Sequence, residues 1–133
     1  MLCARRVANY DIAFVTGDFI TWKLSNENEY QRILKKLSSL VPTFACIGNH
    51  DGGKWAGLSH GYKDFSKVRT LLESSGVKLL FNEAERVEIS GKTLSLVGLG
   101  DLWSGDTKPN GILNTTRSRD EAVIVLSHNP DSK

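Results

Sequence analysis

The sequence predicts an α/β fold, and three observations carry that expectation. Short apolar runs of strand length alternate with amphipathic segments at helical spacing through the first half of the chain. A later pair of β-rich runs flanks a Ser-Gly-Lys turn, which adds antiparallel strands. Three of the apolar runs end in polar clusters, Gly17-Asp18, Gly48-Asn49-His50-Asp51 and Ser127-His128, instead of ordinary turns. In parallel sheets of this class ligands bind beyond the carboxyl ends of the strands, so these clusters are expected to meet.

In chain order, residues 1–9 mix polar and apolar positions, with Leu2 and Val7 facing inward, as at the end of a helix. The run from Asp11 to Thr16 is a strand apolar on both faces, as suits the interior of a covered sheet. From Asn26 the period changes. Tyr30, Ile33, Leu34, Leu37 and Leu40 recur at helical spacing, and Asn26 with Glu29 forms a capping box. Pro42 ends that helix and opens a strand over 42–47. The glycine-rich stretch 52–61, with Trp55 and His60, reads as an exposed loop.

A second amphipathic helix is expected over 62–75, with Phe65, Val68, Leu71 and Leu72 inward and Gly76 at its C-terminal cap. Strands follow at 77–81, 86–89 and 93–97, then turns around 98–111, and a last strand at 122–126. There is no internal repeat and no low-complexity segment.

The 133 residues suit one domain with a real core. A composition 40% hydrophobic and 24% charged is that of an ordinary globular chain. The net charge of +2 arises from scattered basic residues, so no nucleic-acid partner is indicated. No apolar run approaches the roughly 18 residues of a membrane span, and the first residues do not read as a signal peptide. Cys3 and Cys46 read as free thiols of a reducing compartment, so a soluble, cytoplasmic chain is expected.

The polar clusters combine a carboxylate, an amide oxygen and imidazoles, a donor set suited to Mn, Fe or Zn. Asp18 has two oxygens with which to bridge two ions; Asn49 offers a neutral oxygen and His128 a neutral nitrogen. His50, which titrates near neutrality, suits charge stabilisation or protonation of a leaving group. Asp51 beside it would orient the imidazole and favour its charged form. Taken singly, each has a plainer reading: Asp18 as a turn residue, His128 as a capped strand end, Asn49 to Gly53 as turn formers. His60 reads as solvent-facing, Trp55 and Trp103 as packing residues that border a cleft, and Asp101 and Asp106 as shaping a turn. The joint occurrence is what favours a site.

Gly17-Asp18, then Gly48-Asn49-His50-Asp51 some thirty residues on, then a strand ending in His128, resemble the middle blocks of calcineurin-like metallophosphoesterases. Asp101-Leu-Trp-Ser-Gly105 and Ser127-His-Asn-Pro-Asp131 are similar to a bacterial, often membrane-associated branch that cleaves phosphodiester or pyrophosphate bonds. The resemblance implies a four-layer αββα sandwich with mixed sheets. It implies two divalent metal ions, bridged by Asp18, with Asn49 and His128 on the second. It further implies hydrolysis by a metal-bound hydroxide, with His50 acting at the phosphoryl oxygen or leaving group, on a small phosphate ester or a lipid-linked substrate.

The family's opening Asp-x-His block and closing Gly-His-x-His block have no counterpart between Met1 and Lys133. The resemblance therefore implies a single domain over 1–133, truncated at both ends and weakly active or inactive alone, with the intact protein free to lie peripherally on a membrane. Rival readings are a phosphomonoesterase or protein phosphatase of the same family, and a non-catalytic binding module with the same fold.

Overall fold

The computed structural model describes residues 10–115, 121–129 and residue 131. The helical expectation for 1–9, and Cys3 with it, lies outside them. The described elements are β1 (Ala13–Val15), α1 (Glu27–Ser38), β2 (Thr43–Ala45), α2 (Lys54–Leu58), α3 (Ser66–Ser74), β3 (Val77–Leu79), β4 (Glu83–Ile89), β5 (Lys92–Gly98), α4 (Pro109–Thr115) and β6 (Ala122–Leu126).

Two three-stranded sheets organise these elements. The first is wholly parallel in the order β1-β2-β3, and the second runs β4-β5-β6, antiparallel and then parallel. One apolar cluster, with Leu34, Ala45, Ile47, Val68, Leu71, Leu72, Val77 and Leu79, joins α1 and α3 to the first sheet. A second, with Phe44, Cys46, Leu80, Leu96 and Leu126, lies between the sheets. Alternation explains the division: in β2, Ala45 faces the helices while its neighbours Phe44 and Cys46 face the other sheet. This stack of helices, sheet and sheet is the mixed α/β architecture of the expected αββα sandwich. Among the described residues, no helix is long and apolar enough to cross a membrane.

Several elements follow their sequence signals closely. Asn26 caps α1 by accepting the Glu29 N–H at 3.2 Å. Ser90 and Gly91 both take positive φ, 51° and 74°, in the two-residue hairpin turn between Ile89 and Lys92. Gly76, at φ 73°, follows α3 and reverses the chain into β3. Cys46 is a free and fully buried thiol, which burial pushes up to about 12, so it packs as an apolar group.

Other expectations are corrected. The Glu29 carboxylate does not complete a capping box; it forks onto the Arg32 guanidinium one turn along. Ile33 lies on the outer side of α1, 54% exposed, because the helix presents only a narrow stripe to the sheet, and Leu40, 43% exposed, falls in the turn beyond the end of the helix at Ser38. Phe14 in β1 is also 36% exposed, so this strand is not covered on both faces among the described residues. The stretch read as a loop at 52–61 contains α2, whose Ala56 is buried. The turn expected at Lys108 to Gly111 opens α4 instead, with Pro109 at its first position, where the missing N–H costs no helical bond.

Candidate metal centre

The three polar clusters converge, though from two sheets and not one. β1 and β2 are parallel neighbours, so Asp18 and Asn49 emerge side by side; β6 belongs to the second sheet and brings His128 from across the interface. His128 Nε2 lies 3.1 Å from Asn49 Oδ1 and 3.4 Å from Asp18 Oδ2.

The backbone around Asp18 is unusual. Gly17 and Asp18 take φ of 86° and 56°, a left-handed pair that turns the chain abruptly at the end of β1. Such a conformation persists only where its surroundings hold it, and Asp51 holds it here. The Asp51 carboxylate, fully buried, accepts N–H bonds from Asp18 (2.8 Å), Phe19 (2.6 Å), Ile20 (3.3 Å) and Gly48 (2.9 Å). It thus ties the loop after β1 to the loop after β2. The tie is completed by Asp18 Oδ1, which accepts the His50 N–H at 3.1 Å. Burial pushes the Asp51 carboxyl up to about 6, against the downward pull of the four N–H donors.

The expectation that Asp51 orients the His50 ring is therefore corrected. The Asp51 oxygens are occupied by backbone N–H groups, and the ring is held elsewhere: His50 Nδ1 lies 2.6 Å from the Thr21 carbonyl. That bond places the proton on Nδ1 and leaves Nε2 as the working nitrogen. Trp22 and Trp55 meet the same imidazole edge to face, at ring separations of 5.5 and 4.6 Å, and Trp103 stacks on Trp55 at 5.9 Å. His60 stays exposed at φ 69°, as expected of it.

His128 carries the clearest chemical message. Its Nδ1 lies 2.7 Å from the Thr16 carbonyl, an acceptor, so Nδ1 must bear a proton. Its Nε2 then points a lone pair at two further acceptor oxygens, on Asn49 and Asp18. Three acceptors facing one another are mutually repulsive unless Nε2 is protonated, the Asn49 amide turns its NH2 toward it, or a cation stands among them. A backbone carbonyl fixing the far nitrogen is also the usual support of a metal-ligating histidine. The donor set therefore fits a divalent cation. Among the described residues no group of three His, Cys, Asp or Glu side chains gathers round one point, so the amide of Asn49, itself 3% exposed, is needed as third donor.

Sequence reasoning missed two features. Asp101, assigned only to a turn, is fully buried; its Oδ2 accepts the Ser104 N–H at 2.7 Å, while Oδ1 has no hydrogen-bond partner. The aromatic row around His50 was missed too. Its signal was the placing of all three tryptophans four, four and two residues after Asp18, Asp51 and Asp101.

The sequence profile described as calcineurin-like phosphoesterase matches residues 3–133. The chain is 35% identical over 124 residues to Phosphodiesterase YaeI of Escherichia coli (strain K12), covering 92% of the chain and 42% of that protein. It is 28% identical over 124 residues to the Uncharacterized metallophosphoesterase YkoQ of Bacillus subtilis (strain 168), covering 91% and 43%. It is 25% identical over 162 residues to the UDP-2,3-diacylglucosamine pyrophosphatase LpxG of Chlamydia muridarum (strain MoPn / Nigg), covering 92% and 48%. The chain thus spans less than half the length of the curated relatives it matches. No solved structure matches it.

Proposed function

The chain belongs to the calcineurin-like phosphoesterase family, and on that footing we propose that it contributes to a metal-dependent site hydrolysing a phosphodiester or pyrophosphate bond. The observation that carries the reading is His128 Nε2, turned by the Thr16 carbonyl onto the oxygens of Asn49 and Asp18. Asp18, Asn49 and His128 would hold the metal, with the Asp18 carboxylate fixed in place by the His50 N–H on its Oδ1. Divalent ions, when bound, supply a water nucleophile at neutral pH and offset charge on the phosphoryl oxygens.

The chain's own residues do the rest. Asp51 holds the Asp18 and Gly48 turns in place, which makes it a positioning residue. His50, its Nδ1 fixed on the Thr21 carbonyl, would offer a proton on Nε2 to the departing oxygen. The names of the Escherichia coli and chlamydial relatives support a phosphodiester or a pyrophosphate as the bond cleaved. The diacylglucosamine in the second name supports a lipid-linked ester beside a small-molecule one.

The test combines Mn²⁺ binding by calorimetry with hydrolysis of bis-p-nitrophenyl phosphate, on this chain and on one extended at both ends. The extended chain is expected to bind about two ions and turn over, and Asp18→Ala is expected to abolish both. Absence of metal binding in both forms would leave the non-catalytic module as the better reading.

A further inference from the structure

Three polar side chains that the mechanism does not use, Asn82, Asp101 and Asn129, meet at the loop between β5 and α4, residues 99–108. Asn82 braces its two feet: Oδ1 accepts the N–H groups of Gly100 and Lys108, both at 3.0 Å, and Nδ2 donates to the Asp106 carbonyl at 2.6 Å. It does so from a left-handed backbone, φ 51°. Asp101, fully buried, braces the tip: Oδ2 accepts the Ser104 N–H at 2.7 Å, and its carbonyl accepts the Asp106 N–H at 2.9 Å. Thr107 Oγ1 adds a bond to the Gly100 carbonyl at 2.6 Å. The loop is cross-linked along its whole length.

Asn129 reaches this loop from elsewhere. It follows His128 in the loop after β6, is 5% exposed, and accepts the Leu102 N–H on Oδ1 at 2.9 Å. The partner is a donor, so the oxygen of the amide and not its NH2 must face it. A buried amide costs free energy unless it is bonded, so packing alone does not account for an asparagine here. Its place in the chain does. Beyond β6 the Leu99 N–H donates to the Leu126 carbonyl at 2.9 Å, and only Ser127 and His128 separate that bond from the Asn129 anchor. Each of the two residues has just two soft backbone dihedrals. Ser127 Oγ closes the span by donating to the Asn129 carbonyl at 2.9 Å. The backbone that carries His128 is thus fastened to the β5 loop at both ends, while the imidazole projects toward the first sheet, to Thr16 and Asn49.

We propose that Asn129 is a positioning residue of the centre: its side-chain oxygen, anchored on the Leu102 N–H of a loop braced by Asn82 and Asp101, fixes the His128 backbone so that Nε2 faces Asn49 and Asp18. The inference rests on the phosphoesterase reading and deepens it by naming what holds the nitrogen donor in place. The Thr16 carbonyl selects which ring nitrogen carries the proton, but it meets the ring only where the His128 Cα is already set. Asn129 sets it from the opposite side. The stiffness of the loop at 99–108 then has a use, since an anchor transmits position only if it does not itself yield.

The test reads the ring directly, in the metal-free chain at pH 8, by long-range ¹H–¹⁵N correlation of its three imidazoles. His128 and His50 are expected to show the form protonated on Nδ1, and exposed His60 the mixed pattern of a free ring. Asn129→Ala is expected to move His128 toward the His60 pattern while His50 keeps its own. In the chain extended at both ends it is expected to lower Mn²⁺ affinity about tenfold by calorimetry. Asn129→Asp, which keeps an oxygen for the Leu102 N–H, is expected to restore the Nδ1–H form, and Asn129→Ser, too short to reach Leu102, to behave as the alanine variant does. An unchanged His128 pattern in the alanine and serine variants, or equal changes at His128 and His50, overturns the proposal and leaves the phosphoesterase reading intact. Unfolding of both variants overturns it in favour of a purely structural role, and a displaced ring with unchanged Mn²⁺ affinity overturns it as well. If His128 of the unsubstituted chain already matches His60, or its extended form binds no Mn²⁺, the metal-donor reading and the proposal fall together.

Discussion

Gly17→Ala is the substitution that most directly probes how this centre is assembled. Two separate costs are expected. At φ 86° an L-residue sits in the left-handed region, which costs about 1–2 kcal/mol. The added Cβ would also overlap the Gly48 N–H and stand 2.8 Å from Gly48 Cα and the Ile47 carbonyl carbon, all of them backbone. Backbone does not swing aside as a side chain does, so the loops after β1 and β2 must part, at an overpacking cost of about 1–3 kcal/mol. The two together amount to about 2–5 kcal/mol. Gly91→Ala is the matching control: its φ is 74°, yet nothing lies within 4 Å of the added carbon, so only the conformational cost of about 1–2 kcal/mol applies. Urea unfolding of both variants at equal slope measures the difference, expected at about 1–3 kcal/mol. Because Asn49 follows Gly48 and Asp18 follows Gly17, Gly17→Ala is also expected to weaken Mn²⁺ binding, and Gly91→Ala is not. Equal destabilisation by the two substitutions would refute the close-contact account of the site.

The Asp51 carboxyl, raised from 3.8 to about 6, binds its proton more tightly in the folded state than in the unfolded one. Its contribution to stability is therefore full below pH 3.8 and lost as pH rises through 6, a change of about two units or about 3 kcal/mol. Relative to Asp51→Asn, the unsubstituted chain should lose that amount between pH 3.5 and 7.5 in chemical denaturation. A change of opposite sign would mean that the four N–H donors outweigh burial. His50→Gln is expected to lower turnover of the extended chain by about 10²- to 10⁴-fold with Mn²⁺ affinity nearly unchanged. His128→Ala is expected to cost Mn²⁺ affinity directly, and calorimetry beside steady-state kinetics separates the two roles.

Much of the fold was legible because it rests on periodicity and on residues with narrow conformational uses. β6 has the predicted bounds, and Asn26, Gly76 and the Ser90-Gly91 turn act as their chemistry requires. The misses have a common cause, in that a pattern reports which residues are apolar and not how much surface awaits them. Ile33 continues the helical stripe yet meets no sheet, and Trp55 lies in a glycine-rich stretch that still closes a short helix against Ser104. The residues that converge were legible from strand ends alone. Their supports were not, since Asp51 reaches back across more than thirty positions to Asp18 and Phe19, and the Thr16 and Thr21 carbonyls carry no side-chain signature.

Those two carbonyls give the centre a single mechanical handle. Thr16 steers His128 and Thr21 steers His50, so one six-residue segment sets the working nitrogen of both imidazoles, one from each sheet. Displacing that segment would draw on both imidazoles in the same motion.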